Sequence, residues 1–219
     1  KLWNSVEQTE KRKDAQLARE INIALPRELT QEKNWELLKT FVQKEFVDNG
    51  MVADVAFHRG HKGGEEQPHG HVMLSMREIT ADGFGQKIRA WNDKALLNNW
   101  RESWAAHCNL ELAQQGFDLR IDHRTLEDQG INLEAQSKIG PKAAARSMAR
   151  FAEHQELAER NGERLLKNPD IALTAMTRQQ STFTHQDLAR FVNRHTVNKE
   201  QFEAVYEKVK TDQNLVHLG

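Results

Sequence analysis

The chain has 219 residues and a mass of 25.3 kDa, enough for one good-sized domain or one domain with a small appendage. Charged residues make up 29% of it and the mean hydropathy is −0.78. Because no run of about eighteen apolar residues occurs, we expect no membrane-spanning helix. The net charge of −1 means that any contact with nucleic acid must come from local basic patches.

Two features of the ends and the cysteine content set further expectations. The single cysteine, Cys108, fits a reducing cytosol, and we expect it to be buried packing. The chain begins at Lys1 without a methionine or a secretory signal, which suggests a fragment of a longer cytoplasmic protein.

The first third of the chain predicts helices alternating with strands. Residues 2–16 form an amphipathic pattern, and residues 19–25 alternate as a strand that ends at Pro26. Thr30 is a helix N-cap signal, and the following apolar stripe runs to Asn49 and Gly50. Strands are predicted at 51–59 and 70–77, joined by a loop at 60–68.

The remainder predicts fewer strands and more helices. A polar loop at 80–92 precedes a helix at 94–115 that buries Leu96, Leu97, Trp100, Trp104 and Leu110. Residues 117–121 alternate as a fourth strand, and a long polar helix follows at 140–168. Because short connections join several strands, we predict an α+β fold with a central antiparallel sheet flanked by helices.

Three histidines carry the strongest chemical signal. His58 ends one predicted strand, and His69 and His71 share a face at the start of the next. Folding these strands against each other brings three imidazoles together, and neutral imidazole is a preferred ligand of divalent transition metals. Three ligands leave positions open, as a catalytic site requires. His61, in the loop, is a rival for the third place.

Several motifs together resemble one family. They are Leu2-Trp-Asn, Glu10-Lys-Arg-Lys-Asp14, Ala18-Arg-Glu-Ile-Asn-Ile-Ala-Leu-Pro-Arg-Glu-Leu29, Gly50-Met-Val-Ala-Asp-Val-Ala-Phe-His58, Pro68-His-Gly-His-Val-Met-Leu74, Gly83-Phe-Gly, Arg89-Ala-Trp-Asn92, Asp122-His-Arg-Thr and Gln129-Gly-Ile131. As a set they resemble the conjugative relaxases of the MobA/MobL family, TraA type, over nearly the whole chain. His69-Gly70-His71 is similar to the His-hydrophobe-His signature, although Gly70 replaces the hydrophobic residue. We expect that position to face away from the metal.

The resemblance implies a function and its partners. Members of this family nick one strand at a plasmid transfer origin through a tyrosine that becomes joined to the 5′ end. It implies His58, His69 and His71 as ligands of Mn²⁺ or Mg²⁺, with Zn²⁺ or Ni²⁺ as substitutes in a crystal. It also implies single-stranded and supercoiled DNA, relaxosome accessory proteins and a type IV secretion coupling protein as partners.

Further site residues follow from the same comparison. Glu20 matches an acidic family position and is expected to orient a histidine or to handle a proton. Asn22 stands where relatives often carry a second acid, and Asp54 is expected to be structural. The family nucleophile lies N-terminal to the first helix. The one tyrosine here, Tyr206, lies on the apolar stripe of the last helix, so we expect no nucleophile in this chain.

Two basic segments are candidates for DNA contact. Lys87, Arg89 and Trp91 follow the histidine strand on a loop suited to single-stranded DNA. The alternative is a solvated loop that Trp91 anchors to the core. Lys138, Lys142, Arg146 and Arg150 recur every four residues along one helix face, a pattern suited to phosphates and also typical of a solvated face.

The C-terminal part resembles the winged-helix-like unit that precedes a helicase in TraA relaxases. We therefore divide the chain into a relaxase core at 1–135, a linker helix at 136–168 and a small helical unit at 169–219. The alternative interpretation of residues 169–219 is a helical appendage that stabilises the fragment.

Other functions remain open from the sequence. They are a non-catalytic DNA-binding module with a structural ion, an endonuclease like rolling-circle replication initiators, and a hydrolase that activates water with Glu20 as base. Structural zinc sites are usually rich in cysteine, which disfavours the first of these.

Overall fold

The protein folds as two compact units, Lys1–Phe117 and Asp118–Gly219. The computed structural model describes residues 1–62, 65–136, 148–216 and 218, without the side chains of residues 61–66. Within these residues no helix is long and apolar enough to cross a lipid bilayer. The predicted α+β class is confirmed, since the first unit combines an antiparallel sheet with helices and the regular elements described in the second unit are helices.

The first unit is built from the following elements: α1 (Leu2–Thr9), β1 (Ala18–Ala24), α2 (Gln31–Val42), a π-helical turn (Gln43–Val47), β2 (Ala53–His58), β3 (His61–Lys62), β4 (Glu65–Glu66), β5 (His69–Ser75), β6 (Arg77–Thr80), β7 (Gly83–Lys87), a 3₁₀ turn (Arg89–Asn92) and α3 (Lys94–Gln114). Its main sheet has the antiparallel order β1-β5-β2, with β5 in the centre. β3 pairs with β4, and β6 with β7.

The alternation along β5 gives this sheet two unlike faces. Gly70, Val72 and Leu74 are buried on one face, where α2 covers them through Leu38. The other face carries the histidines and Met73, and most of its residues are exposed. Behind α2, the aromatic rings of α3 complete the core, as shown by the edge-on contact of Phe41 with Trp104 at 4.8 Å between ring centroids. Cys108 is fully buried there, as predicted.

The second unit contains α4 (Met148–Lys167), α5 (Asp170–Thr177), α6 (His185–Arg194) and α7 (Lys199–Lys210). Its core combines the segment around Ile131 and Leu133 with the apolar stripes of all four helices. Thr184 caps α6 in a capping box with Asp187. Tyr206 packs beside this core and stacks on Phe202 at 5.7 Å.

Several predicted elements of the first unit differ in the structure. The first helix ends at Thr9 and not at residue 16, because residues 10–16 offer only Ala15 as an apolar side chain to bury. The predicted loop at 80–92 was wrong: it contains the turn and the second strand of the hairpin β6–β7, followed by a 3₁₀ turn. Asp82-Gly83 is the turn signal that the prediction overlooked, and Gly83 adopts φ +114°.

Two further predictions about buried and extended residues were wrong. Leu97 and Leu110 of α3 are 36% and 59% exposed, because α3 buries only a narrow stripe against α2. Residues 117–121 form no strand. Their backbone is tied by single hydrogen bonds, such as Arg120 N–H to the Gln179 carbonyl at 2.6 Å.

The helix predicted at 140–168 is described from Met148 onward, and residues 137–147 lie outside the described part. Where the sequence suggested a linker, α4 contributes Ala158 and Leu165 to buried positions. The boundary between the two units falls after Phe117, whereas the predicted relaxase core ended at residue 135. The segment 118–135 gains its partners from the second unit because Ile131 and Leu133 are buried in that unit's core.

Candidate metal centre

Three imidazoles meet on the open face of the main sheet. His58 lies directly opposite His69 in the register of β2 and β5, and His71 lies two residues further along β5. In an antiparallel pair, directly opposite residues share a face, so the register alone directs all three rings to one side. The centroids of the three rings are 4.9–5.3 Å apart.

The ring nitrogens are close enough to share one ion. One nitrogen from each histidine lies within 4.8 Å of the others. Nitrogen ligands lie about 2 Å from a bound metal, so small rotations of the rings would bring all three onto one ion. His58 is exposed and the other two are partly buried, which leaves one side of the cluster open to solvent.

Hydrogen bonds behind the rings fix which nitrogen faces outward. His69 Nδ1 lies 2.8 Å from the carbonyl oxygen of Gln67, which can only accept, so Nδ1 donates and Nε2 keeps its lone pair. His71 Nδ1 lies 2.7 Å from Glu20 Oε1 and donates to it in the same way. Metal-binding histidines have this arrangement, with the distal N–H held by a carbonyl or a carboxylate.

Glu20 thus lies where its carboxylate can orient the His71 ring. It lies on β1 opposite Met73, one pleat from the pair formed by Asn22 and His71. Asn22 is exposed on the same face. Asp54 accepts a hydrogen bond from Trp3 Nε1 at 2.9 Å, which ties α1 to β2. That contact supports the structural role expected for Asp54.

Two glycines permit the close packing around the histidines. Gly60 has φ +56°, and a Cβ on it would lie 2.6 Å from the Gln67 carbonyl oxygen and 3.0 Å from His69 Cε1. A Cβ on Gly70 would lie 2.5 Å from Leu38 Cδ2. Gly70 therefore faces α2 and not the histidine cluster, as expected from its place between His69 and His71.

Sequence reasoning missed the role of Gln67, whose backbone oxygen orients His69. Every residue type has a backbone carbonyl, so the residue pattern cannot predict which one accepts this hydrogen bond. The side chain of the rival ligand, His61, is outside the described part of the structure.

A buried ionic cluster was also missed. Glu10 Oε1 lies 2.9 Å from Arg77 Nε and 3.0 Å from Lys87 Nζ, and the Glu10 side chain is only 8% exposed. The Arg77 guanidinium, together with Lys87, lowers the pKa of Glu10. The contact between these three charged residues could not be predicted, because they are far apart in sequence and come together only through the hairpin β6–β7, which was not predicted.

The predicted DNA-contact residues have different environments. Lys87 Nζ is held by Glu10 and by the Gln16 carbonyl at 2.8 Å, whereas Arg89 is exposed. Trp91 is partly buried beside Gly50, and its carbonyl oxygen accepts from Arg19 Nη1 at 2.5 Å. Arg150 is exposed at the start of α4. Lys138, Lys142 and Arg146 lie outside the described residues.

Comparison with known proteins agrees with this geometry. Residues 1–150 match the MobA/MobL family. The conjugal transfer protein TraA of Agrobacterium fabrum is 35% identical over 99% of this chain, which covers 22% of that protein. Mobilization protein A of Escherichia coli is 34% identical over 64% of this chain and 22% of its own length.

A solved structure titled as the molecular basis of vancomycin resistance transfer in Staphylococcus aureus is also similar. It is 36% identical with a TM-score of 0.51, covering 57% of this chain and 66% of that one. This chain spans about a fifth of the length of the TraA relatives it matches. The sequence match over more than half of the chain, together with these relatives, shows that the chain belongs to the MobA/MobL family.

Proposed function

We propose that this chain is the catalytic region of a conjugative DNA relaxase, which nicks one strand at a plasmid transfer origin. The observation that carries the proposal is the convergence of His58, His69 and His71 on an exposed sheet face, with two of their Nδ1 atoms held from behind. Names of relatives, including a relaxation protein of 43 kDa in Salmonella typhimurium, support the same role.

The donor set fits a divalent metal ion. Nε2 of His69 and of His71 is available because Nδ1 of each ring is engaged, and His58 completes the set. When bound, Mn²⁺ or Mg²⁺ would act as a Lewis acid that holds a phosphate oxygen and offsets charge developing in the transition state. Glu20 keeps the His71 ring in the productive tautomer and orientation.

The proposed reaction is a transesterification by a tyrosine outside this chain. The phenolic oxygen attacks phosphorus and loses its proton, the bond from phosphorus to the 3′ oxygen breaks, and that oxygen is protonated to a 3′ hydroxyl. The 5′ phosphate stays on the tyrosine. Tyr206, the one tyrosine of the sequence, packs beside the core of the second unit and suits a structural role.

DNA is proposed to approach across the open sheet face and its surroundings. Arg89 is exposed at the start of the first unit's 3₁₀ turn and is our main candidate there, with Trp91 in the same turn. Lys87 is a weaker candidate, because Glu10 already neutralises it. In the second unit, Lys142, Arg146 and Arg150 remain proposed phosphate contacts.

The family role suggests the wider setting of the protein. We propose that it acts in the bacterial cytoplasm on supercoiled DNA, with relaxosome accessory proteins and a type IV secretion coupling protein. We also propose that the second unit leads into a helicase in the longer protein.

A nicking assay tests the central proposal. A chain extended at its N-terminus to include the expected tyrosine is incubated with supercoiled transfer-origin plasmid and Mn²⁺ or Mg²⁺. We expect relaxation of the plasmid and a covalent adduct between protein and the 5′ end of the DNA. His71→Ala should abolish both, and His154→Ala, a histidine on α4 of the second unit, should change neither.

Other outcomes identify the alternatives. Nicking without an adduct would point to a hydrolase that activates water, with Glu20 as base. DNA binding without nicking in every metal tested would point to a non-catalytic module with a structural ion. Repeated cleavage and rejoining at a replication origin would point to a replication initiator.

A further inference from the structure

The charges of the second unit are unevenly distributed along its sequence. Between residues 171 and 198 the chain has three arginines, Arg178, Arg190 and Arg194, and a single carboxylate, Asp187. The neighbouring helices α4 and α7 instead mix acids and bases, as Glu163 and Arg164 on α4 and the pair of Lys199 with Glu203 on α7 show. The stretch therefore has an excess of two positive charges in a chain whose net charge is −1.

The one acid of this stretch is occupied within the fold. Asp187 Oδ2 accepts from the Thr184 backbone N–H at 2.9 Å and from the Thr184 hydroxyl at 2.7 Å. These bonds close the capping box at the start of α6. The carboxylate thereby faces the helix end, where it also interacts electrostatically with Arg190.

The outer face of α6 carries three exposed polar side chains that can form hydrogen bonds to base edges. Leu188, Val192 and His195 are buried on the inner face of the helix. Gln186, Arg190 and Asn193 lie on the opposite face, within a stripe about 60° wide at 3.6 residues per turn, and all three are exposed. Arginine pairs with guanine, and glutamine and asparagine pair with adenine, in the major groove of DNA.

We propose that α6 is a second nucleic-acid site, which lies in the major groove of duplex DNA. Gln186, Arg190 and Asn193 face the base edges in this arrangement. Arg194, which is exposed next to Asn193, contacts a phosphate. The site is separate from the histidine cluster and does not depend on the proposed nicking reaction.

Loss of charge on this surface tests the proposal with the chain as it is. The double variant Arg190→Gln/Arg194→Gln should bind a 20-base-pair duplex of mixed sequence at least tenfold more weakly in fluorescence anisotropy. The plot of log affinity against log salt should become shallower by about one, for the lost phosphate contact of Arg194. All substituted positions are exposed, so the fold should be retained.

A matched control removes two charges elsewhere in the same unit. Lys167→Gln/Lys199→Gln, at exposed positions on α4 and α7, should change the affinity less than twofold. Equal losses in both double variants would overturn the proposal, because they would show only a general electrostatic effect. Unchanged affinity in the arginine variant would overturn it as well.

Two further measurements test whether α6 recognises a DNA sequence and whether it binds in the major groove. Selection from randomised duplexes should enrich a motif with the parent chain and not with Gln186→Ala/Asn193→Ala. Absence of any motif with the parent chain, or tighter binding of a single strand through α6, would overturn major-groove reading. Hydrogen exchange should show protection of 185–194 by duplex DNA, and His71→Ala should keep that protection whether or not the nicking proposal holds.

Discussion

At the scale of single residues, the candidate site depends on groups that stand behind its three histidines. The carboxylate of Glu20 is 2.7 Å from His71 Nδ1 and holds both the tautomer and the angle of the ring. Loss of such an orienting partner typically costs 10–100-fold in metal affinity. The carboxylate's position on β1 also explains why it was predictable, since alternation along β1 places it on the histidine face.

We therefore expect Glu20→Ala to weaken binding of Mn²⁺ about 10–100-fold, as measured by isothermal titration calorimetry. Glu20→Gln should recover part of the loss, because its amide oxygen still accepts from Nδ1. Asp54→Ala is the control, since Asp54 lies on the same face but contacts Trp3. Equal affinities for the parent and Glu20→Ala would show that Glu20 does not position the ligand.

Gly70 lies on the buried face of β5, the strand that carries His69 and His71, and limits which side chains fit there. A Cβ at this position would lie 2.5 Å from Leu38 Cδ2, and Leu38 is fully buried. We expect Gly70→Val to lower the free energy of unfolding by about 1–3 kcal/mol in urea titrations, since the side chain must force α2 away from the sheet.

The matched control for this change is Ala56→Val on β2. Ala56 is exposed on the histidine face, so the added methyl groups meet solvent and stability should change little. A Gly70→Val variant as stable as the Ala56→Val variant would mean that Leu38 moves aside without cost.

Much of the candidate site could be predicted from residues because strand periodicity reports faces directly. His58, His69 and His71 converge as the period of two requires, and Glu20 joins them across one pleat. The Gln67 carbonyl could not be predicted, because its role depends on a loop path that Gly60 permits through a positive φ. Sequence patterns report which side chains share a face, and they do not report where backbone oxygens point.

At the scale of elements, regular helices and the main strands were predicted better than the hairpin after them. α2, α3, β1, β2 and β5 have clear periodicity, because each buries one face in the same core. The hairpin β6–β7 has no such stripe, since Ile79 is 60% exposed and its strands pair only with each other. Its stability comes instead from ionic contacts with the segment after α1.

Glu10 is the centre of those contacts. Arg77 and Lys87 lie directly opposite each other in the register of the hairpin, so two positive charges adjoin unless an anion separates them. Removing one partner of a buried ion pair typically costs 3–5 kcal/mol. We expect about 2–4 kcal/mol for Glu10→Gln, because the amide retains some hydrogen bonds and the cations are partly exposed.

Hydrogen exchange of the hairpin, together with urea unfolding, measures this effect. Glu10→Gln should speed exchange in residues 77–87, and adding Lys87→Gln should restore part of the lost stability by removing one of the two adjoining cations. Glu7→Gln, at an exposed position on α1, serves as the control. A double variant that is less stable than Glu10→Gln alone would contradict charge repulsion as the cause.

At the scale of the whole molecule, the division into units was harder to predict than the fold class. The sequence favoured a boundary near residue 135, where the family motifs end. The structure places Ile131 and Leu133 in the core of the second unit, so the chain enters that unit earlier. Family motifs end where the residues with a shared chemical role end, whereas a unit boundary depends on which residues are buried together. The two boundaries can therefore differ.

Each unit contains a histidine whose burial makes the protein sensitive to acid. Burial lowers the pKa of His195, which also donates Nδ1–H to the Phe191 carbonyl at 2.9 Å. Burial likewise lowers the pKa of His107, which lies 2.9 Å from the Thr40 hydroxyl. In the unfolded chain both titrate near pH 6.5. As pH falls below that value, the unfolded state binds protons that the folded state does not, so stability decreases.

We expect the midpoint of urea unfolding to fall between pH 7.5 and pH 5.5 in the presence of a chelator, and His107→Gln/His195→Asn to lose less over the same range. Both replacement amides are neutral at every pH tested, so the proton uptake that favours the unfolded state is removed. His123→Asn, at an exposed position, should keep the parent's pH dependence. A double variant with the parent's full loss would show that the acid sensitivity arises from other groups. Glu10 does not account for a loss between pH 7.5 and pH 5.5. Arg77 lowers the pKa of Glu10, so its contribution to stability is lost only as pH falls below the ordinary pKa of a glutamate.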